Sequence, residues 1–366
     1  MEVCEYCFES ESISNYIISA GIKLKEEKKC LFCENEESLY RLPSIDLRIK
    51  VQSIIRECYT HEHGHGLVGS AGMYMEDGDN IDDYLPSQKD LKTVCYELFD
   101  LDTINYKFYE LLEDDYDSLS EFDGDIDSEL WIALGRDWDY SSHIMLNWNE
   151  FCENVKHKAR FFDHSSYSRI EELKKLDRTF DALASTVSLT LYRARNADQT
   201  RTFKNINSNP SKELGIVPSL YAKHNRFSPV GIPYVYMSSD KETIVKEIRA
   251  KQGDTIGIGT FEIENLKLID LRNETLEEAR TNPFSIHFTD EILCSSNLLK
   301  SFISDITKPV HDNDAHLDYI PTQIVSEYIW SLGYDGFIFD SSLCSGDNYV
   351  LFKDTYTYLS YEIKDV

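Results

Sequence analysis

The chain contains no run of about eighteen apolar residues, the length a membrane-crossing helix requires. Its opening, Met1-Glu2-Val3-Cys4-Glu5, has neither the basic nor the apolar part of a signal peptide, so a cytoplasmic protein is expected. Basic residues are scarce: 37 stand against 65 acidic ones, for a formal net charge of −28. That balance opposes nonspecific attraction to nucleic acid or to an anionic membrane, and neither is expected as a partner, although local basic pockets remain allowed. The glycine motifs that cradle phosphates are missing as well. Gly253, Gly257 and Gly259 fall in a strand-like stretch, and neither a Gly-x-x-x-x-Gly-Lys-Ser/Thr loop nor a complete Gly-x-Gly-x-x-Gly opens a helix. This disfavours P-loop enzymes and Rossmann dehydrogenases.

What is present describes a globular protein of more than one part. With 366 residues and 42% hydrophobic content, the chain can bury two or three cores. Two C-x-x-C pairs, Cys4/Cys7 and Cys30/Cys33, are separated by 22 residues, a spacing that lets four thiolates converge on a tetrahedral ion. A zinc knuckle over residues 1–40 is expected, and because four thiolates leave no open position for water, its zinc is structural. Cys58, Cys95, Cys152, Cys294 and Cys344 lack such spacing and read as small buried residues of a reducing compartment. Ten of the twenty residues from Glu110 to Glu129 are acidic, which suits a solvated surface or a docking face for a basic partner.

From residue 41 to 184 the apolar period is mostly helical, as in Ile45, Leu47, Ile49, Val51, Ile54 and Ile55, and again in Trp148, Phe151 and Val155. From residue 185 to the end the pattern is mixed α/β. Val187 to Tyr192 reads as a strand ending at Arg193, and Tyr234 to Met237 as a second. Ser238-Ser239-Asp240 caps a helix expected to reach about Ala250, with Glu247 at the margin of its Ile244/Val245/Ile248 stripe. Strands are expected at Thr255–Ile263 and Leu266–Leu271. A helix is expected to begin after Pro321 and stop at Gly333, followed by strands at Phe337–Phe339 and Tyr349–Phe352. The cluster His311, Asp312, Asp314 and His316 reads as a polar loop, as does the alternation His61, His63, His65 beside Gly64 and Gly66.

Along this half runs an ordered set of short motifs: Leu191-Tyr192-Arg193-Ala194-Arg195, Asn225-Arg226-Phe227-Ser228-Pro229, Tyr234-Val235-Tyr236-Met237-Ser238, Glu247 on its helix, Tyr319-Ile320-Pro321-Thr322-Gln323, Gly333-Tyr334-Asp335-Gly336, Ser341-Ser342 after the Gly336–Asp340 stretch, and Asn348-Tyr349-Val350-Leu351-Phe352. Their order and context resemble the RES domain, a family named for its Arg, Glu and Ser. The resemblance covers about half of the chain. It implies a fold related to the ADP-ribosyltransferases and an enzyme that consumes NAD, often a bacterial toxin. Trp148-Asn149-Glu150-Phe151-Cys152 with Val155-Lys156-His157 is similar to the helical region, classed with the HEPN proteins, that precedes many RES domains.

If NAD is the substrate, the chemistry assigns roles to the matched residues. Arg193 and Arg226 suit the pyrophosphate, because a guanidinium donates two parallel hydrogen bonds. The ring of Tyr236 can pack on nicotinamide. Glu247 can stabilise the positive charge that develops on the ribose as the nicotinamide bond breaks. Ser341 best fits the family serine and Ser342 is the one-residue alternative; either hydroxyl could hold a ribose or phosphate oxygen, and Asn348 could assist. Arg195 shares a strand face with Arg193 and could equally pair with a carboxylate. The acceptor, water in a glycohydrolase or inorganic phosphate in a phosphorylase, stays open, with ADP-ribosyl transfer to a protein as the runner-up. Toxin–antitoxin function or antiphage defence follows, with an antitoxin or regulatory partner and a homo-oligomer as further candidates. Two rivals are a ribonuclease using Arg56 and His61, which have the HEPN Arg-x4-His spacing, and a noncatalytic module that senses NAD.

Overall fold

The structure is a computed structural model that describes residues 1–61, 88–101, 106–113, 130–133, 148–161, 173–174, 176–197, 200–288, 290–307 and 315–366. His63, His65, His311, Asp312, Asp314 and most of the acidic run Glu110–Glu129 lie outside the described residues. The chain forms two compact units, one from Met1–Ile144 with the return segment Glu278–Cys294, the other from Met145–Glu277 with Ser295–Val366.

In the first unit β1 (Glu2–Val3), β2 (Ile22–Lys23) and β3 (Tyr40–Pro43) form a small antiparallel sheet in the order β1-β3-β2. Ser10 caps the helix Glu11–Ala20 by accepting from the N–H of Ile13 at 3.3 Å. The helix Ser44–Cys58 buries Leu47, Val51, Ile54, Ile55 and Cys58, a 3.6-residue stripe. Ile45 and Ile49, which share the sequence pattern, fall off that stripe and are exposed. β4 (Tyr59–His61), β5 (Gln88–Asp90) and β6 (Leu130–Ala133) add a second antiparallel sheet, β4-β6-β5, to a stretch whose sequence period is mostly helical. Cys4, Cys7 and Cys30 share one continuous core with Phe8, Ile13, Ile54, Phe99 and Phe108, and the return segment contributes Phe288 to it and stacks Phe284 on Tyr16.

The second unit is built on β7 (Ala184–Asn196), β8 (Val235–Ser238), β9 (Thr255–Asp270), β10 (Gly336–Asp340), β11 (Asp347–Leu351) and β12 (Thr357–Asp365), a mixed sheet in the order β10-β11-β8-β7-β9-β12. β9 changes partner along its length. Its first half pairs antiparallel with β12 and its last residues, Leu268–Asp270, pair parallel with β10. Because β10 also pairs with β11, the five strands β10-β11-β8-β7-β9 close on themselves around Leu191, Val235, Phe261, Leu268, Ile338 and Leu351.

Several expected boundaries move for local reasons. Thr255–Ile263 and Leu266–Leu271 are one strand, since Asn265 takes a left-handed φ of 53° and the chain continues through the irregularity opposite Val187/Leu189. β7 runs on past Arg193 to Asn196 because Arg193 is paired with Gly259 well inside the ladder. The helix after Asp240 ends at Glu247, and Arg249, at φ 53°, turns the chain away. The helix expected to begin after Pro321 begins at Ala315 and holds Pro321 in its interior. Burial of Ile320, Val325 and Ile329 on the same helix accompanies this tolerance of a residue that cannot donate to the preceding turn.

Candidate functional site

The helix Lys241–Glu247 is placed from its amino end. Asp240 accepts from the N–H of Thr243 at 2.8 Å and from its hydroxyl at 2.7 Å. Ile244 then packs with Ala194, Ile256 and Ile258, which fixes the helix against β7 and β9. The loop between β10 and β11 closes on the same helix: Ser239 N–H donates to Asp347 O and the N–H of Asp347 to Ser239 Oγ, both at 2.9 Å. Gly346 permits the approach, since a Cβ there would collide with Asp240 Oδ2 and Thr243 Oγ1. Thr243 and Ser239 hold the Asp240 carboxyl below the usual carboxylate range, although burial acts the other way. Above the unfolded value of about 3.9 this cap therefore contributes stability that is lost as pH falls through the lower folded value. Asp240→Ala is expected to cost about 1 kcal/mol in denaturant melts at neutral pH, a difference that disappears in strong acid.

Glu247, at the end of that helix, is half-buried and held from two sides. Ser341 Oγ and Asn348 Nδ2 each donate to its Oε1 at 2.6 Å. Among the described residues its other oxygen, Oε2, accepts no hydrogen bond, and Glu247 lines a cavity. Asn348 is itself oriented by Ser238, whose hydroxyl donates to Asn348 Oδ1 at 2.8 Å. Ser341 also accepts from Leu343 N–H at 3.1 Å. Its hydroxyl proton is therefore committed to the carboxylate and not to a solute, which changes the part expected of it. Ser342 is exposed and faces the cavity instead.

That cavity, of about 400 Å³, is lined by Arg193, Arg226, Tyr236, Glu247, Ser342 and Asn348 together with Ser238, Arg249, Thr307 and Asp340. The volume lies in the range of small-molecule sites. Arg193 is buried, and its Nη1 donates to the carbonyls of Leu214 and Gly215. No carboxylate pairs with it among the described residues. Burial, and then Arg195, pull its guanidinium down to about 10, so it is charged at neutral pH. Arg226 donates through Nη1 to Asp305 O and Ile306 O, at the end of the helix Asp290–Thr307, and lies over the Tyr319 ring. Tyr236 meets Phe227 N–H and Ser228 Oγ at its hydroxyl, and burial pushes that phenol up to about 12 against the pull of Ser228, Phe227, Arg193 and Arg226. Both guanidiniums thus act on the same phenol.

The structure brings together Arg193, Arg226, Tyr236, Glu247, Ser341, Ser342 and Asn348, drawn from elements up to 155 positions apart in the chain. Arg195 lies outside, 3.9 Å from Glu213. Arg56 sits in the last turn of its helix and His61 in β4, so the Arg-x4-His spacing is not presented by one helix. Arg249 escapes sequence reading, and Ser238 enters it only as a motif and cap residue, not as part of the site. Ser238 had a signal, since it follows Tyr236 by two positions on one strand and so shares its face.

In the first unit the sulfur atoms of Cys4, Cys7, Cys30 and Cys33 all lie within 4.8 Å of one another. Cys4 is 3.5 Å from Cys33 and 3.6 Å from Cys7, and Cys7 is 3.6 Å from Cys30. Zinc with four thiolates at about 2.3 Å has its sulfurs about 3.8 Å apart, so the set fits a tetrahedral ion. Burial pushes the Cys4 thiol up to about 12 and the Cys7 thiol further. These four cysteines could hold a metal.

Residues 190–361 match the family described as RES domain. No curated protein matches the chain. Among solved structures, a chain from the M. tuberculosis MbcT–MbcA toxin–antitoxin complex is similar at 14% identity, over 52% of this chain and 92% of that one, with a TM-score of 0.31. No helix among the described residues is long and apolar enough to cross a membrane. Every residue gathered at the cavity from Arg193 to Asn348 falls inside the matched segment, and this carboxy-terminal part of the chain belongs to the RES domain family.

Proposed function

We propose that the RES domain cleaves NAD at the bond between nicotinamide and ribose. The observation that carries this reading is a single cavity lined by two arginines, a tyrosine and a carboxylate that has one oxygen pinned by two donors and the other without a protein partner among the described residues. Arg193 and Arg226 take the pyrophosphate, replacing the absent glycine loop with charge and planar donors. Tyr236 packs on the nicotinamide. As the C1′–N bond breaks, its electron pair leaves with nicotinamide and neutralises the ring, while positive charge grows on the ribose. Glu247 Oε2 faces that charge and stabilises it. An acceptor oxygen then bonds to C1′ and releases its proton to solvent. Water gives hydrolysis, inorganic phosphate gives phosphorolysis, and a protein side chain gives ADP-ribosyl transfer.

Around this activity we place a structural zinc on Cys4, Cys7, Cys30 and Cys33, and a segmental plan of knuckle (1–40), helical region (41–184) and RES domain (185–366). Loss of NAD in the cytoplasm would make the protein a toxin or a defence effector, kept in check by an antitoxin or another regulatory partner. Nicotinamide release from NAD by the purified protein, with and without inorganic phosphate, tests the reaction. Release independent of phosphate identifies a hydrolase, a phosphate requirement identifies a phosphorylase, and no release in either condition refutes the reading.

The two strand arginines separate binding from scaffold. Arg193→Lys keeps the charge but cannot span carbonyl and phosphate together, so the KM for NAD should rise on the order of tenfold or more. Arg195→Lys, whose partner is Glu213, should leave KM within about twofold, since a loose, partly exposed pair at 3.9 Å outside the cavity contributes little. Equal effects of the two substitutions would remove Arg193 from the site.

A further inference from the structure

We infer that Ser238 and Asn348 form a positioning relay that makes the two oxygens of Glu247 unequal, reserving Oε1 for the protein and Oε2 for the substrate; the inference rests on the NAD-cleaving reading above. Neither residue needs to touch the reacting atoms to do this. Ser238 and Asn348 are direct cross-strand partners in the antiparallel β8–β11 ladder, a register that places both side chains on one face of the sheet. Both are buried, Ser238 completely and Asn348 to 7% exposure, so water does not compete for their hydrogen bonds.

The direction of each bond follows from donor chemistry. An ionised carboxylate only accepts, so the amide must turn its NH2 toward Glu247. The Ser238 hydroxyl, 2.8 Å from Asn348 Oδ1, donates to that oxygen and locks the same orientation from behind. With Ser238 absent the amide could rotate by half a turn, which would set Oδ1 against Glu247 Oε1, two acceptors at 2.6 Å. A second arm works in the same sense. Leu343 N–H donates to Ser341 Oγ, so the hydroxyl proton is turned to Glu247.

Both arms end on Oε1. The carboxylate plane is thereby set by two donors from different segments, β11 and the loop after β10, while its helix supplies the backbone. Rotation about the last side-chain bond, which would leave a lone flexible Glu free to present either oxygen, breaks two hydrogen bonds at once. A substrate that places positive charge beside Oε2 meets a carboxylate already aligned, and no reorganisation is needed as the charge develops.

Ser238→Ala tests the relay, with Ser238→Thr to restore the hydroxyl. Loss of one buried hydrogen bond of about 1 kcal/mol, felt in the transition state, corresponds to a fall in kcat of roughly fivefold to tenfold. KM for NAD should stay within about twofold, because Ser238 leaves the arginines untouched, and the threonine variant should recover most of kcat. A purely structural serine would change melting temperature without this split. A second readout is independent of turnover: the side-chain NH2 protons of Asn348 should exchange slowly with solvent in the unmodified protein and faster in Ser238→Ala. Unchanged kcat and unchanged exchange in Ser238→Ala would overturn the relay. An unmodified protein that releases no nicotinamide, yet shows the exchange difference, would keep the relay and overturn the NAD reading.

Discussion

Glu247→Gln is expected to lower nicotinamide release from NAD by about 10²–10³-fold or more, the scale on which losing one preorganised electrostatic contact to a transition state is felt. The substitution keeps shape. The side-chain carbonyl can still accept from Ser341 and Asn348, as Oε1 does at 2.6 Å from each. What changes is the other end, where an open carboxylate oxygen becomes an NH2 group presenting partial positive charge to a ribose that is gaining charge of the same sign. The substitution leaves Arg193 and Arg226, the proposed pyrophosphate ligands, untouched, so NAD should bind to the variant with nearly unchanged affinity while turning over slowly. The measurement is a pair: NAD affinity by calorimetry and nicotinamide release by chromatography. Full activity in the glutamine variant would show that no negative charge is needed at this position, and the assignment of Glu247 would be lost.

Removing the metal from the first unit should have the largest effect on stability. If zinc joins Cys4, Cys7, Cys30 and Cys33, the free energy of binding is also folding free energy, on the order of 10 kcal/mol or more for four-thiolate sites at neutral pH. That exceeds the total stability of many domains. Cys4, Cys7 and Cys30 lie in the same core as Phe8, Ile13, Phe99 and Phe108, so the loss is not confined to a peripheral loop. Metal analysis should find about one zinc per chain. A strong chelator, or Cys7→Ser, should abolish the cooperative melt of this unit, followed through a probe at Trp131 in the same core. A metal-free preparation that melts like the untreated protein would exclude a structural zinc.

Some of this was legible from residue types and spacing. Two C-x-x-C pairs separated by 22 residues bring four sulfurs within 4.8 Å, because each pair forms a tight turn and β3 carries the chain back to β1. Asp240 announced the start of the Glu247 helix, since a capping carboxylate acts over three residues. The α/β content of the carboxy-terminal half, its strand at β8 and the helix with Gly333 at its end follow from local periodicity and backbone preference. Where tertiary packing outweighed local preference the sequence misled: Pro321 lies inside a helix, β9 passes through its irregular Asn265, and Ile45 and Ile49 stay in solvent.

The sequence by itself determined which chemical groups were available: four convergent thiols, a capped helix bearing a carboxylate, and arginines in a chain that has no glycine phosphate loop. It did so because spacing, capping and composition act over a few residues and leave a local trace. Only the tertiary structure decided how those groups meet. Strand register set Ser238 beside Asn348, loop closure at Gly346 allowed Ser341 to reach Glu247, and closure of β10 onto β9 completed the sheet that bears the site. Those contacts join residues about a hundred positions apart, and no local pattern encodes which oxygen of a carboxylate its neighbours will hold.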